Sequence, residues 1–197
     1  MTLPPYYQRL IKKYPQVSMD EWQLLDSLAT VRHIKKGDTF LLCGKIARYA
    51  AFVLSGQFKY SFITDDGTEK ILKFCFTDDF LANCESYNNN LPSLINITAL
   101  EDAVILRFSI KKVHPLYDLH LNILHINLKI YEEILEQQAE HQYLLSLKSP
   151  VARYRFLLKH RPLIIQKISL TNIARYLYIS REALSRARLS LVGDLGK

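Results

Sequence analysis

The apolar and polar positions change period along the chain. Residues 6–30 read as helical, and Ser18-Met19-Asp20-Glu21 looks like a helix start, with an N-cap oxygen and two acids in the first turn. From Val31 to Phe108 the signals are those of short strands. Phe52-Val53-Leu54 runs into Ser55-Gly56, and Phe58, Tyr60 and Phe62 alternate with Lys59 and Ser61. Lys36-Gly37-Asp38 reads as a turn and Asp65-Asp66-Gly67 as a hairpin turn, after which Ile71–Phe76 pairs back. Ile95–Leu100 and Ala103–Phe108 add further strands. Strands at this density predict an antiparallel roll or barrel.

From Pro115 to about Leu147 the pattern predicts one long helix with no internal Pro or Gly. Leu124, Leu128, Tyr131, Leu135, Gln138, Gln142 and Leu145 recur at spacings of four and three, a coiled-coil-like seam. Ile123, Ile126, Ile130 and Ile134 mark a second apolar face. One face can pack on the chain's own roll and the other on a second copy, so a homodimer is expected. Ser149-Pro150 ends this helix. The expected class is α+β: an antiparallel, cupin-like β-roll domain with an N-terminal helix (1–114), a long dimerisation helix (115–148) and a small C-terminal helix-turn-helix domain (149–197).

Charge sharpens this division. Residues 148–197 hold 11 Lys or Arg against 2 acids, a net +9, while the rest of the chain is near neutral at −2. A basic end on a neutral body is the footprint of a nucleic-acid-binding module. No apolar run approaches a membrane span and the N-terminus is not a secretory signal, so a cytoplasmic protein without membrane partners is expected. Cys43, Cys75 and Cys84 show no disulfide or metal spacing and read as three buried thiols. Neither a metal nor a cofactor is implied.

Residues 169–189 fit a helix-turn-helix. Ser169 caps a first helix containing Leu170, Ile173, Ala174 and Leu177. Ala174 is small where two helices cross, and Leu177 and Ile179 flank the turn and bury inward. Ser180 caps the second helix, whose Leu184 and Ala187 face the first. Arg181, Glu182, Ser185 and Arg186 remain on the outer face. Arg pairs with guanine O6 and N7, Glu accepts from cytosine N4, and Ser serves a base or phosphate. Lys167, Thr171, Arg175, Tyr176, Ser180 and Arg188 are candidate phosphate contacts. The turn position that usually holds a left-handed Gly is Tyr178.

This order of parts resembles the family of the cyclic-AMP receptor protein and Fnr. The resemblance rests on His33-Ile34-Lys35-Lys36-Gly37-Asp38, Phe52–Gly56, Asp65-Asp66-Gly67-Thr68-Glu69, Ala99-Leu100-Glu101-Asp102 and above all Ser180-Arg181-Glu182-Ala183-Leu184-Ser185-Arg186. It implies a bacterial-type transcription regulator that binds double-stranded DNA as a dimer on a palindromic site, with RNA polymerase as a candidate further partner. By position, Arg181, Glu182, Ser185 and Arg186 inherit the reading of a GA-containing half-site.

The family's nucleotide cassette does not carry over. Its Phe-x-Gly-Glu is Phe80-Leu81-Ala82-Asn83 here, and Ser93-Leu94-Ile95 fills the place of Arg-Ser/Thr-Ala. Between Phe76 and Leu100 there is no Lys or Arg, so a buried phosphate would lack a cationic partner. These seven residues form a degenerate effector pocket, and the effector is unknown and not expected to be cyclic AMP. The N-terminal cysteine cluster of the oxygen-sensing branch is missing, and a trailing β-wing is expected to be absent or reduced. An enzyme is not expected: only His33 among the histidines lies in the β region, and no nucleophile–base motif is present. The competing reading is a small-molecule or protein-interaction sensor with a vestigial DNA-binding end.

Overall fold

The computed structural model of the chain describes residues 3–194. It falls into two compact units. The first takes in the chain up to Tyr60 together with Cys75–Ile134; the second takes in Ser61–Phe74 and the chain from Leu135 on.

The first unit opens with two helices, α1 (Tyr7–Lys13) and α2 (Met19–Leu28), where the sequence predicts continuous helix. Pro15 lies in the break between them, where a missing N–H and a fixed φ disfavour helix interior. At α2, Ser18 and Glu21 form a reciprocal capping box. Glu21 is buried, yet the Ser18 N–H, the Asn122 amide and the Ser18 hydroxyl hold its carboxyl below the usual range.

Eight strands follow: β1 (Ala29–Ile34), β2 (Thr39–Leu41), β3 (Tyr49–Ser55), β4 (Phe58–Ile63), β5 (Glu69–Cys75), β6 (Phe80–Leu81), β7 (Asn96–Ala99) and β8 (Ala103–Ser109). One antiparallel sheet has the order β1-β8-β3-β6, with Phe52 opposite both Leu106 and Phe80. In the other, β2 pairs with β7 and β7 neighbours β4. Strands β4 and β5 form a hairpin closed by Thr64–Thr68, with Gly67 at φ +79°. Its distal part, Ser61–Phe74, belongs to the second unit. This α+β architecture with an antiparallel roll is the expected fold class.

Period-two alternation gives the first sheet two buried faces. Phe52, Leu54, Phe80, Leu106 and Phe108 form a core with Tyr7, Leu10, Trp22, Leu25, Ile123 and Ile126. Ala51, Val53, Leu81 and Ile105, on the opposite face, are fully buried. Gly56 has φ +108°, and a Cβ there would meet the Ala103 Cβ at 2.5 Å.

Strand β6 leads into the short helix α3 (Cys84–Asn88). Beyond β8 the expected single helix from Pro115 is corrected. A short helix, α4 (Ile110–Val113), and a 3-10 turn (His114–Asp118) precede α5 (Leu121–Ser146). Pro115 occupies the start of the 3-10 turn rather than the start of α5.

The second unit contains the end of α5 and four further helices: α6 (Pro150–His160), α7 (Pro162–Lys167), α8 (Leu170–Leu177) and α9 (Arg181–Asp194). Its packing is organised by Arg153, whose guanidinium donates to the carbonyls of Leu145, Leu147 and Leu177, each at 2.9 Å. These close the open carbonyl ends of α5 and α8. Arg161 grips Glu140 with Nε at 2.9 Å from both carboxylate oxygens. Of the cysteines, Cys75 alone is buried; Cys84 is partly covered and Cys43 is exposed, against the expectation of three buried thiols. Among the described residues no helix is long and apolar enough to cross a membrane.

Candidate nucleic-acid interface and effector region

Helices α8 and α9 are joined by Tyr178-Ile179-Ser180. Ser169 caps α8 by accepting from the Asn172 N–H at 3.4 Å, and Ser180 caps α9 by accepting from the Ala183 N–H at 3.1 Å. Tyr178 adopts the left-handed conformation, φ 56° and ψ 43°, at the position where the sequence template places it. Its half-buried ring offsets part of the backbone cost, lying 5.0 Å from the Lys70 Nζ and edge-on to His141 at 5.7 Å.

Behind the pair, Ile173, Ala174, Leu177, Leu184 and Ala187 are buried. Ile179 is only partly so. In front, Arg181, Glu182, Ser185 and Arg186 are all exposed along α9. Helical geometry produces this separation: 182, 185 and 186 lie on one face and 184, 187 and 191 on the opposite one. Hydrogen bonds from its own backbone N–H and from the Ser180 hydroxyl hold the Glu182 carboxyl below its usual range, so it is an anionic acceptor. Two cations and one fixed anion, with a hydroxyl between, make a surface that can read donors and acceptors on a base edge.

The flanking residues divide. Lys167, Ser180 and Arg188 are exposed and Thr171 is half-buried. Arg175 is engaged, its Nη1 lying 2.6 Å from the Glu69 Oε2. Tyr176 does not suit the expected phosphate contact. It is buried, its ring stacks on His141 and packs on Phe74, and burial raises its phenol well above the ordinary range. Its apolar ring is worth more inside than its hydroxyl is outside.

On α5 the second apolar face packs inward through Ile123 and Ile126. Of the seam, Leu128 and Leu135 are 47% and 61% exposed, Gln138 and Gln142 are exposed, and Leu124, Tyr131 and Leu145 are half-buried. A stripe of leucines this open costs hydrophobic free energy unless something covers it.

The cassette region is closed from within. Tyr60 crosses from β4, its hydroxyl accepting from the Ala82 N–H at 3.0 Å and donating to the Ala82 carbonyl at 3.3 Å. Burial holds its phenol neutral. Asn83 donates from Nδ2 to the Ser93 Oγ at 2.9 Å and caps α3 by accepting from the Ser86 N–H. Ser93 in turn donates to the Ile95 carbonyl at 2.7 Å. The polar atoms that stand where a nucleotide cassette would be thus satisfy one another. Leu94 departs from the expected pocket altogether, being 77% exposed, while Leu81 is fully buried in the sheet.

A separate cavity, unforeseen from sequence, has a volume of about 670 Å³. It adjoins the cassette only through Phe80, Ala82 and Asn83, and otherwise lies against Ala50 of β3, Phe108 of β8 and residues of α1, α2, α3, α5 and the segment after β8. Its lining is scattered from Leu10 to Tyr131, so no local motif marks it.

Comparison with known proteins fits this geometry. Residues 31–120 match the family model of the cyclic nucleotide-binding domain. Over those residues the chain is similar to that domain, and it shares the fold of solved transcription regulators, one of them of the Crp/Fnr family. FixK2 from Bradyrhizobium japonicum superposes with a TM-score of 0.71 at 19% identity, covering 85% of this chain and 86% of that one. A Crp/Fnr-family regulator from Eubacterium rectale superposes at 0.70 and 19% identity over 91% and 86%. The global regulator CLP of Xanthomonas campestris, described as responsive to c-di-GMP, does so at 0.71 and 16% identity over 90% and 93%. The search of curated proteins found no match.

Proposed function

We propose that this chain is a cytoplasmic, DNA-binding transcription regulator of the Crp/Fnr type, not an enzyme. It acts as a homodimer through the α5 seam and reads a palindromic site with α9, with RNA polymerase as a candidate further partner. The observation that carries the reading is the exposed set Arg181, Glu182, Ser185 and Arg186, presented over the buried Leu184 and Ala187. Lys167, Thr171, Ser180 and Arg188 supply phosphate contacts, and Arg175 joins them when it leaves Glu69. The effector is not cyclic AMP. The mutual hydrogen bonding of Asn83 and Ser93, the Tyr60 plug and the absence of Lys and Arg between Phe76 and Leu100 all support that. In domain terms the reading is a roll sensor (1–114), a dimerisation helix (115–148) and a DNA-binding end (149–197).

The test is selection of bound sequences from a random duplex pool, followed by salt-dependent binding with and without cyclic AMP. A palindrome bound far more tightly than random DNA, with or without the nucleotide, is the expected result. Enrichment only with cyclic AMP overturns the reading of the cassette. No enrichment favours a sensor module with a vestigial DNA-binding end.

A further inference from the structure

The cavity of the first unit has a chemistry of its own. Not one Lys, Arg, Asp or Glu lines it. An ion entering it would lose hydration with no carboxylate, ammonium or guanidinium group to pair with, so a charged ligand is disfavoured. Six Trp, Phe and Tyr rings do line it, from Trp22, Phe80, Tyr87, Phe108, Tyr117 and Tyr131, with the His114 imidazole against Tyr87 and Tyr117. Such walls favour flat, conjugated molecules through stacked and edge-to-face contacts. At about 670 Å³ the space suits a small molecule of two to three rings.

A second observation points to a ligand. Trp22 is 2% exposed, and its indole Nε1 has no hydrogen-bond partner among the described residues. A buried donor left unpaired is costly and uncommon. An acceptor atom on a bound molecule would satisfy it.

The cavity is not the nucleotide cassette in another guise. Strand alternation puts Ala50, Phe80 and Phe108 on the cavity face of the β1-β8-β3-β6 sheet, while Ala51 and Leu81 point to the other face. Tyr60 and the Asn83–Ser93 pair close the cassette independently.

We propose that this cavity binds an uncharged aromatic small molecule that offers a hydrogen-bond acceptor to Trp22. Tyr131, whose hydroxyl accepts from the Asn88 amide at 2.7 Å, belongs both to the cavity lining and to the expected seam of α5. Occupancy therefore bears on the helix that the proposed dimer uses.

Isothermal titration calorimetry on the full chain tests the proposal, with flavone and 2-naphthol as neutral probes and 2-naphthoate and cyclic AMP as charged ones. Trp22 is the only tryptophan, so quenching of its emission reports the same site. Expected is saturable binding of a neutral probe, at least tenfold weaker binding of both charged probes, and a fivefold or greater loss in Trp22→Phe. Ala82→Leu, which fills the cavity, should abolish binding; Asn127→Leu serves if that variant fails to fold by circular dichroism. No binding of either neutral probe, equal binding of 2-naphthoate, or unchanged binding in the folded filling variant overturns the proposal. No DNA is present, so a failure here leaves the DNA-reading assignment untouched, and failure of that assignment leaves this site standing.

Discussion

The His141 Nε2 lies 2.9 Å from the carbonyl oxygen of Tyr176, and the two rings stack with centroids 4.2 Å apart. A carbonyl can only accept, so Nε2 carries the proton and the imidazole is a neutral donor. Burial lowers its pKa below the ordinary 6.5, against the opposing pull of that carbonyl and of Glu140. The unfolded chain therefore binds more protons than the folded one between the lowered value and 6.5, and stability rises with pH across that window. Thermal midpoints of the wild-type chain should fall as pH drops below about 6.5. His141→Gln keeps a donor without titrating and should show a shallower fall. Parallel curves for the two proteins would remove His141 as the cause.

On the selected DNA site, Arg186→Ala should cost about 1–3 kcal/mol and relax base preference at one position. Titrations against the site and its single-base variants measure both effects. An equal loss on every sequence would assign Arg186 to a phosphate instead.

Glu69 holds Arg175 in an ion pair at 2.6 Å. Glu69→Gln should release the guanidinium, strengthen non-specific DNA binding at low salt, and steepen the log–log salt slope by about 0.9, the value of one added phosphate contact. An unchanged slope would mean that Arg175 does not reach the backbone even when free.

The Tyr60 hydroxyl is the partner of the buried-side Ala82 N–H. Tyr60→Phe leaves that donor unpaired and should lower stability by about 1–3 kcal/mol in urea unfolding. Millimolar cyclic AMP should shift the midpoint of neither protein. A stabilising shift in the wild type would show that the cassette still admits the nucleotide.

Much of this was legible because it is local. Ser18, Ser169 and Ser180 cap helices by hydrogen bonds spanning three residues, and Gly67 closes a five-residue hairpin loop. The outward set on α9 follows from helical spacing alone, and so does the left-handed Tyr178 from the template of the turn. What escaped depends on long-range placement. Tyr176 and His141 carry polar groups that suggest a surface, but each is covered by a partner 35 residues away. Pro115 is as acceptable at the head of a 3-10 turn as at the head of a long helix, so periodicity misplaced the start of α5. The cavity is the joint product of seven elements and the segment after β8, and Trp22 reads from sequence as an ordinary core residue.

Gly56 bears on how genetic data for this protein should be interpreted. Any side chain there strikes Ala103 and must also adopt a backbone conformation that L residues rarely take. Every missense change in that codon therefore introduces the same clash, whatever residue it encodes. In a library screened for lost regulation, hits at Gly56 report a damaged scaffold and carry no information about DNA or ligand. Their proper use is as the calibration for misfolding, against which milder variants of Arg186 or Trp22 are scored.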